Sequence, residues 1–500
     1  MRYLKYFFVL LFVLLLWYLR TWFHGLVMFF YLRPVILQVL IITIVIHFFL
    51  LKRSSILSKK HSMVVDQNSK ETLEFTPAFF ISVVLFCLFL LPGLLFSGWF
   101  RGDYLANNIN YIERSTLPES SQDLRLMPYE VAQRYAKDSL QLSQYKLGTE
   151  NIALIDDNLS WIFPLVPDGL VIKFLRQNKG IAYIDANKQE RNSDHLWKDM
   201  EIGEGMQIRD NLYWNVYRQR YFIKTDDTYY LTDGEEIYTV LAAIEYSFKF
   251  RMGLLYTVPE FAGVFLVDTA GNIDFLSEEE AQNHSLLANN RIFPEKLSRE
   301  YIKAYEYIHG ISNRLFIHED QIQIQDVQSP GSQVNKQPYL INTEEGLKWF
   351  ISTEPYGASH GVFKVFIIDA VTGEIEVFHL PEDQTLTGPV RAVDYVRRSN
   401  PVVDWNRFNS VEPIPFIREG RLYWKLAVIP SDAAGIAYQA FVAADTNEVF
   451  ELYQDDDVFA FIQGEDLEEL VEREEGQEDP ISQIRSKLAE IEELLEDINF

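Results

Sequence analysis

Twenty-two consecutive residues without a charge, FFISVVLFCLFLLPGLLFSGWF from Phe79 to Phe100, constrain this chain more than any other feature. A helix needs about 20 predominantly apolar residues to cross the hydrocarbon core of a bilayer, so this run reads as a membrane span. A second apolar run, Val35 to Leu51, follows Arg33-Pro34 and ends at Lys52-Arg53. A third, from Tyr6, is interrupted at Arg20 and resumes from Trp22 to Leu32. The spans are therefore placed at 6–19 or 6–31, 35–51 and 79–100, within a membrane region 1–100. Tyr6–Leu32 is either one tilted span or a span plus an interfacial helix, which leaves the side of the N-terminus open. Arg20 is expected to snorkel to an interface. Arg20 and His24 become partner-facing groups if the chain is a subunit of a larger membrane complex. A cleavable signal peptide is not expected, because no small-residue cleavage site follows and further spans come after.

The loop between the second and third spans carries Lys52, Arg53, Lys59, Lys60 and Lys70. The positive-inside rule assigns such a loop to the cytoplasm, and the third span then exports everything after Arg101. The exported part is acidic: after residue 99 the chain has 36 Lys or Arg against 68 Asp or Glu, a net of −32. That balance argues against nucleic acid, whose binding rests on neutralising phosphates with Lys and Arg. The only cysteine, Cys87, lies in the apolar run, so neither an intrachain disulfide nor a Cys-based zinc site is expected.

The large domain repeats a pattern. LSWIFPLV then GIAYIDANKQE place Trp161 before Asp185; LKWFISTE then VFIIDAVTGEIEVF place Trp349 before Asp369; LYWKLAVI then AFVAADTNEVFEL place Trp424 before Asp445. The Trp-to-Asp separations are 24, 20 and 21 residues. GVFLVDTAGNIDFL around Asp268 keeps the hairpin without the Trp. Alternating apolar residues form the strands, the Asp carboxylate caps the turn, and Gly271 or Gly373 supplies a positive φ. Helical periodicity over 127–144, 298–312 and 388–398 precedes three copies, and Ser277 with Glu280 makes a capping box. The expected fold is α+β: three transmembrane helices, then tandem units of a helix and an antiparallel meander at 101–200, 201–297, 298–386 and 387–463. The aromatic segment LYWNVYRQRYF, Leu212 to Phe222, reads as strand.

The helix followed by strands and the hairpin VFIIDAVTGEIEVF, Val365 to Phe378, resembles the PepSY family of small extracytoplasmic modules. That resemblance implies membrane-anchored envelope modules that bind or inhibit and carry no catalytic residues. The copy at Asp445-Thr446-Asn447-Glu448 departs from the pattern in lacking the Gly.

The nine histidines are scattered, with no HExxH, Walker loop or GxSxG, so no catalytic, metal or cofactor residue is assigned. His318-Glu319-Asp320 reads as a solvated turn, and Asp455 to Asp457 lack EF-hand spacing. The expected function is binding or scaffolding on the membrane, with an envelope enzyme assembled between units as the alternative. From Glu465 the chain becomes an acidic linker and amphipathic helix, 464–500, with fourteen Asp or Glu against three Lys or Arg. There Ile481, Leu488 and Leu495 fall at heptad position a, and Ile484, Ile491 and Ile498 at d. This stripe suits self-association or a protein partner.

Overall fold

The computed structural model describes residues 2–61, 77–155, 158–324, 326–327, 336–357, 361–381, 384–467 and 470. The heptad stripe from Ile481 to Ile498 lies outside the described residues. The fold is mixed α+β, with apolar helices at the N-terminus and antiparallel sheet dominating after residue 144.

Two helices are long and apolar enough to cross a membrane, over Pro34–Lys52 and Phe79–Asn108. A third crossing is available if Tyr6–Tyr18 and Arg20–Leu32 act together, although they meet at a 63° bend. Polar contacts accompany the bend. Arg20 does not point free into an interface: one guanidinium nitrogen donates to the Trp17 carbonyl and another to the Arg218 carbonyl in the large domain. His24 is buried, donates to the Ile223 carbonyl at 3.1 Å and stacks on Tyr217. Both residues, expected at an interface or against a foreign subunit, are thus engaged by the chain's own domain.

Four groups follow, each a helix and a four-strand meander. The first has the helix Tyr129–Ser139 and strands Asn151–Ile155, Asn158–Pro167, Asn178–Asp185 and Asp194–Met200. The second has Leu212–Gln219, then Ile223–Thr232, Ile237–Arg251, Leu254–Val267 and Ile273–Leu276. The third has Glu295–Ala304, then Tyr339–Thr343, Gly346–Pro355, Lys364–Asp369 and Ile375–His379. The fourth has Pro389–Ser399, then Phe408–Arg418, Arg421–Pro430, Tyr438–Ala443 and Val449–Leu452.

Two expectations need correction. Leu212–Gln219, read as strand, is helix, because the Asn211 side chain accepts from the Trp214 amide as an N-cap and buried Leu212 and Val216 fall at helical spacing. The helix Glu295–Ala304 also straddles the expected boundary at 297/298, and Tyr111–Arg114 pairs in parallel with Ile375–His379 of the third group.

The tryptophans hold the groups together in one manner. Trp161 donates its indole N–H to the Met127 carbonyl, Trp349 to Phe293 and Trp424 to Thr387, each two residues before its group's helix. Backbone bonds complete the clamp: the Ala186, Ala370 and Ala444 carbonyls accept from Met127, Phe293 and Thr387. A buried indole needs a partner for its N–H, so the ring fixes where the chain turns from strand into helix.

Candidate functional site: a cavity between the first and third groups

The turn residues are dispersed, each in its own hairpin. Asp185 accepts from the Asn187 amide, Asp268 from Asn272, and Asp369 from Val371 and Thr372. Gly271 and Gly373 have φ of 82° and 74°. Asp445 does not share the position of Asp369. Trp349 faces Ile368, next to Asp369, whereas Trp424 faces Val442, next to Ala443. Asp445 therefore sits two residues further on, where it pairs with Arg421, and Asn447, at φ 65°, takes the place of the glycine. These hairpins are turn chemistry and bring no reactive groups together.

What the fold does assemble is a cavity of about 250 Å³ walled by the first and third groups, with Trp161 and Trp349 both in its lining. Each half contributes from matched places. Ile152 lies opposite Trp161 and Leu340 opposite Trp349; the preceding residues, Asn151 and Tyr339, also line the space. Arg125 lies two residues before Met127 and Arg291 two before Phe293, so the clamp carries each arginine over its own group's indole. The guanidinium carbons sit 5.4 Å and 5.8 Å from the ring centroids. Trp424 lies outside the cavity, against Tyr339 and Phe350.

Charge is concentrated here and largely buried. Arg125 and Arg291 are each only 9% exposed, and among the described residues neither Nε has a hydrogen-bond partner, nor does the Tyr339 hydroxyl. Such atoms carry a desolvation cost unless something meets them. Glu412 stands 3.6 Å from Arg125 and accepts the Tyr129 amide at the start of the first group's helix. Burial, and then the nearby Glu412 charge, push the Glu130 carboxyl up to about 7. Lys425, fully buried and donating to the Arg125 and Leu126 carbonyls, is pulled down to about 7 by desolvation. Behind the lining residue Asp227 of the second group, Asp226 accepts the Lys296 amide in the third group's helix. Asp227 is satisfied by the Lys296 ammonium, and Glu295 is pushed up to about 7 by burial and then by Asp226. Glu412 and Asp226 occupy matching places, at bulges in the first strands of the fourth and second groups.

The two arginines and Tyr339 were not singled out from the sequence. A signal exists in hindsight: RLMPY from Arg125 and RIFPE from Arg291 repeat an arginine, two apolar residues and a proline before a helix. Among the described residues no three His, Cys, Asp or Glu side chains gather as metal ligands. His318 bonds Gln321 and Asp320 pairs with His309 and Lys364, while Asp455 to Asp457 form the acidic first turn of the helix Asp455–Gln463.

No family model matches the chain, and no curated protein does. Among solved structures, an exo-1,5-alpha-L-arabinanase from a bovine ruminal metagenomic library matches at 11% identity and a TM-score of 0.17, over 66% of this chain and 84% of that one. Superposition that loose supports no statement about fold or function, so the cavity is the starting point for both.

Proposed function

We propose that this chain is a membrane-anchored binding protein with PepSY-like units, its large domain outside the cytoplasm, and that the cavity between the first and third groups takes a carboxylate-bearing ligand. One observation supports the reading: two nine-tenths-buried arginines stand beside tryptophan rings in the lining of one small space, and while Arg125 faces Glu412 at 3.6 Å, no described residue hydrogen-bonds the Nε–H of Arg291. A planar guanidinium fork matches a carboxylate, and ring stacking orients the fork in advance. Of the acids nearby, Glu412 is committed to Arg125, Asp227 is engaged by Lys296 and Glu295 is raised to about 7, which leaves Arg291 as the arginine for the ligand. The volume falls below the roughly 300–1,000 Å³ of drug-sized sites, which suits a metabolite or the end of a peptide. The basic loop from Lys52 to Lys70 supports export of the domain, and three crossings put Arg2 and Lys5 in the cytoplasm under the same rule.

Two experiments test this. Protease added to intact cells should digest the domain; protection until lysis refutes the orientation. For binding, the full chain in detergent is heated alone and with succinate, citrate, benzoate or a tripeptide with a free C-terminus. At least one should raise the melting temperature of the native chain, and Arg291→Gln should abolish the rise. A native chain that responds to none, or a variant that responds equally, overturns the ligand reading.

A further inference from the structure

The second group is built unlike the others in one respect: its central hairpin, Ile237–Arg251 with Leu254–Val267, runs far beyond the rest of the sheet. Its tip reaches the apolar helices. The Gln38 side chain donates to the Gly253 carbonyl and accepts the Leu255 amide at 3.0 Å, and the Thr257 hydroxyl donates to the Leu32 carbonyl. Gln38 lies four residues into the span that begins at Pro34, roughly 6 Å along its axis.

Side chains at the tip alternate as a strand requires. Lys249 turns towards the end of the third apolar helix, its ammonium 4.9 Å from the Tyr104 ring centroid; Arg251 pairs with Asp103 and lies 5.0 Å from the Phe100 ring. On the other face Phe248, Phe250 and Met252 are 50%, 66% and 83% exposed. The tip itself is a two-residue turn, Met252-Gly253, with φ of 50° and 84°. Such turns favour Asn or Asp at the first position, and a methionine there adopts the left-handed region at a cost. The residue is 83% exposed, so packing within the described residues does little to offset that cost.

We infer that this hairpin tip enters the lipid leaflet on the domain's side of the membrane, with Phe248, Phe250 and Met252 in contact with lipid. Lipid accounts for three consecutive outward apolar side chains, and aromatic residues favour this depth. It also accounts for Gln38. Backbone N–H and C=O groups at a hairpin end cannot go unpaired in lipid, and one glutamine satisfies one of each. The consequence is mechanical: the domain is held to the bilayer by the hairpin as well as by the chain connection at Arg101 and the Arg20 and His24 hydrogen bonds, which restricts its rotation.

The inference rests on the helices spanning the membrane, and the experiment separates the two. Full-length protein in lipid nanodiscs is labelled with nitrobenzoxadiazole at one cysteine: native Cys87, or Phe250→Cys or Val402→Cys in a Cys87→Ser background. Val402 is 91% exposed on the fourth group. Acyl-chain spin-labelled lipid should quench the labels at 87 and 250 and leave 402 bright. Quenching at 87 alone overturns the hairpin inference; quenching at none of the three overturns the spanning reading beneath it. Gln38→Leu should reduce quenching at 250 while preserving it at 87, and equal quenching at 250 would remove Gln38 from the account.

Discussion

Replacing Glu412 by alanine should destabilise the domain far more than replacing its counterpart Asp226, although both accept an amide at a helix start from another group. An acceptor at a helix N-terminus contributes about 1 kcal/mol, and both variants lose that. The difference lies in what each leaves behind. Asp226→Ala releases Lys296, whose side chain is 58% exposed and returns to water, so the loss stays at about 1–2 kcal/mol. Glu412→Ala strands Arg125, 10% exposed in its side chain, beside the fully buried Lys425, and breaking a buried pair costs about 3–5 kcal/mol. Part is returned because Glu130 no longer faces Glu412. Glu130 rises from 4.5 to about 7, worth about 1.4 kcal/mol per unit, and burial is the larger cause, so the relief is about 1 kcal/mol. With the lost amide acceptor of about 1 kcal/mol included, the net expectation is about 3–5 kcal/mol. Reversible urea unfolding of the full chain in detergent, followed by near-ultraviolet dichroism, measures it. Equal losses in the two variants would refute the claim that Glu412 neutralises buried cations. So would additive losses in an Arg125→Met, Glu412→Met cycle, because a true pair couples by more than about 0.5 kcal/mol.

Glu295, raised to about 7, stabilises the fold most below its unfolded value of 4.5, and that contribution disappears as pH rises through 7; Glu295→Gln should therefore flatten a melting-temperature profile between pH 4.5 and 7. Gly373→Ala should cost over about 2 kcal/mol by the same unfolding assay and Gly420→Ala about 1, because both have positive φ but only at Gly373 would a Cβ meet the Phe293 ring. An equal loss at both would show that the ring yields. Removing residues 480–500 should lower the sedimentation coefficient of the full chain in high salt, where the acidic tails repel least; an unchanged value would exclude self-association through the Ile481 to Ile498 stripe.

Features governed by neighbours in sequence were legible from the residues alone. Apolar length identified the candidate spans, and the capping box at Ser277 is present with both bonds. The Asp-capped hairpins also lie where alternation and turn residues put them, because a turn is closed by atoms two to five residues apart. Local spacing misled where tertiary register mattered. Asp445 resembles Asp369 in its surroundings, yet only pairing against Trp424 reveals the two-residue offset. The segment from Leu212 became helix because Asn211 caps it and sheet 223–276 takes its apolar face, which aromatic content could not anticipate. The cavity depended on tertiary structure altogether. Glu412 reaches Tyr129 across 283 residues of chain, and the two arginines share one space only because separate groups pack face to face. Sequence determined the apolar helices and hairpins through short-range chemistry, whereas the meeting of buried charges was decided by packing, since no local rule states which carboxylate will stand beside which cation.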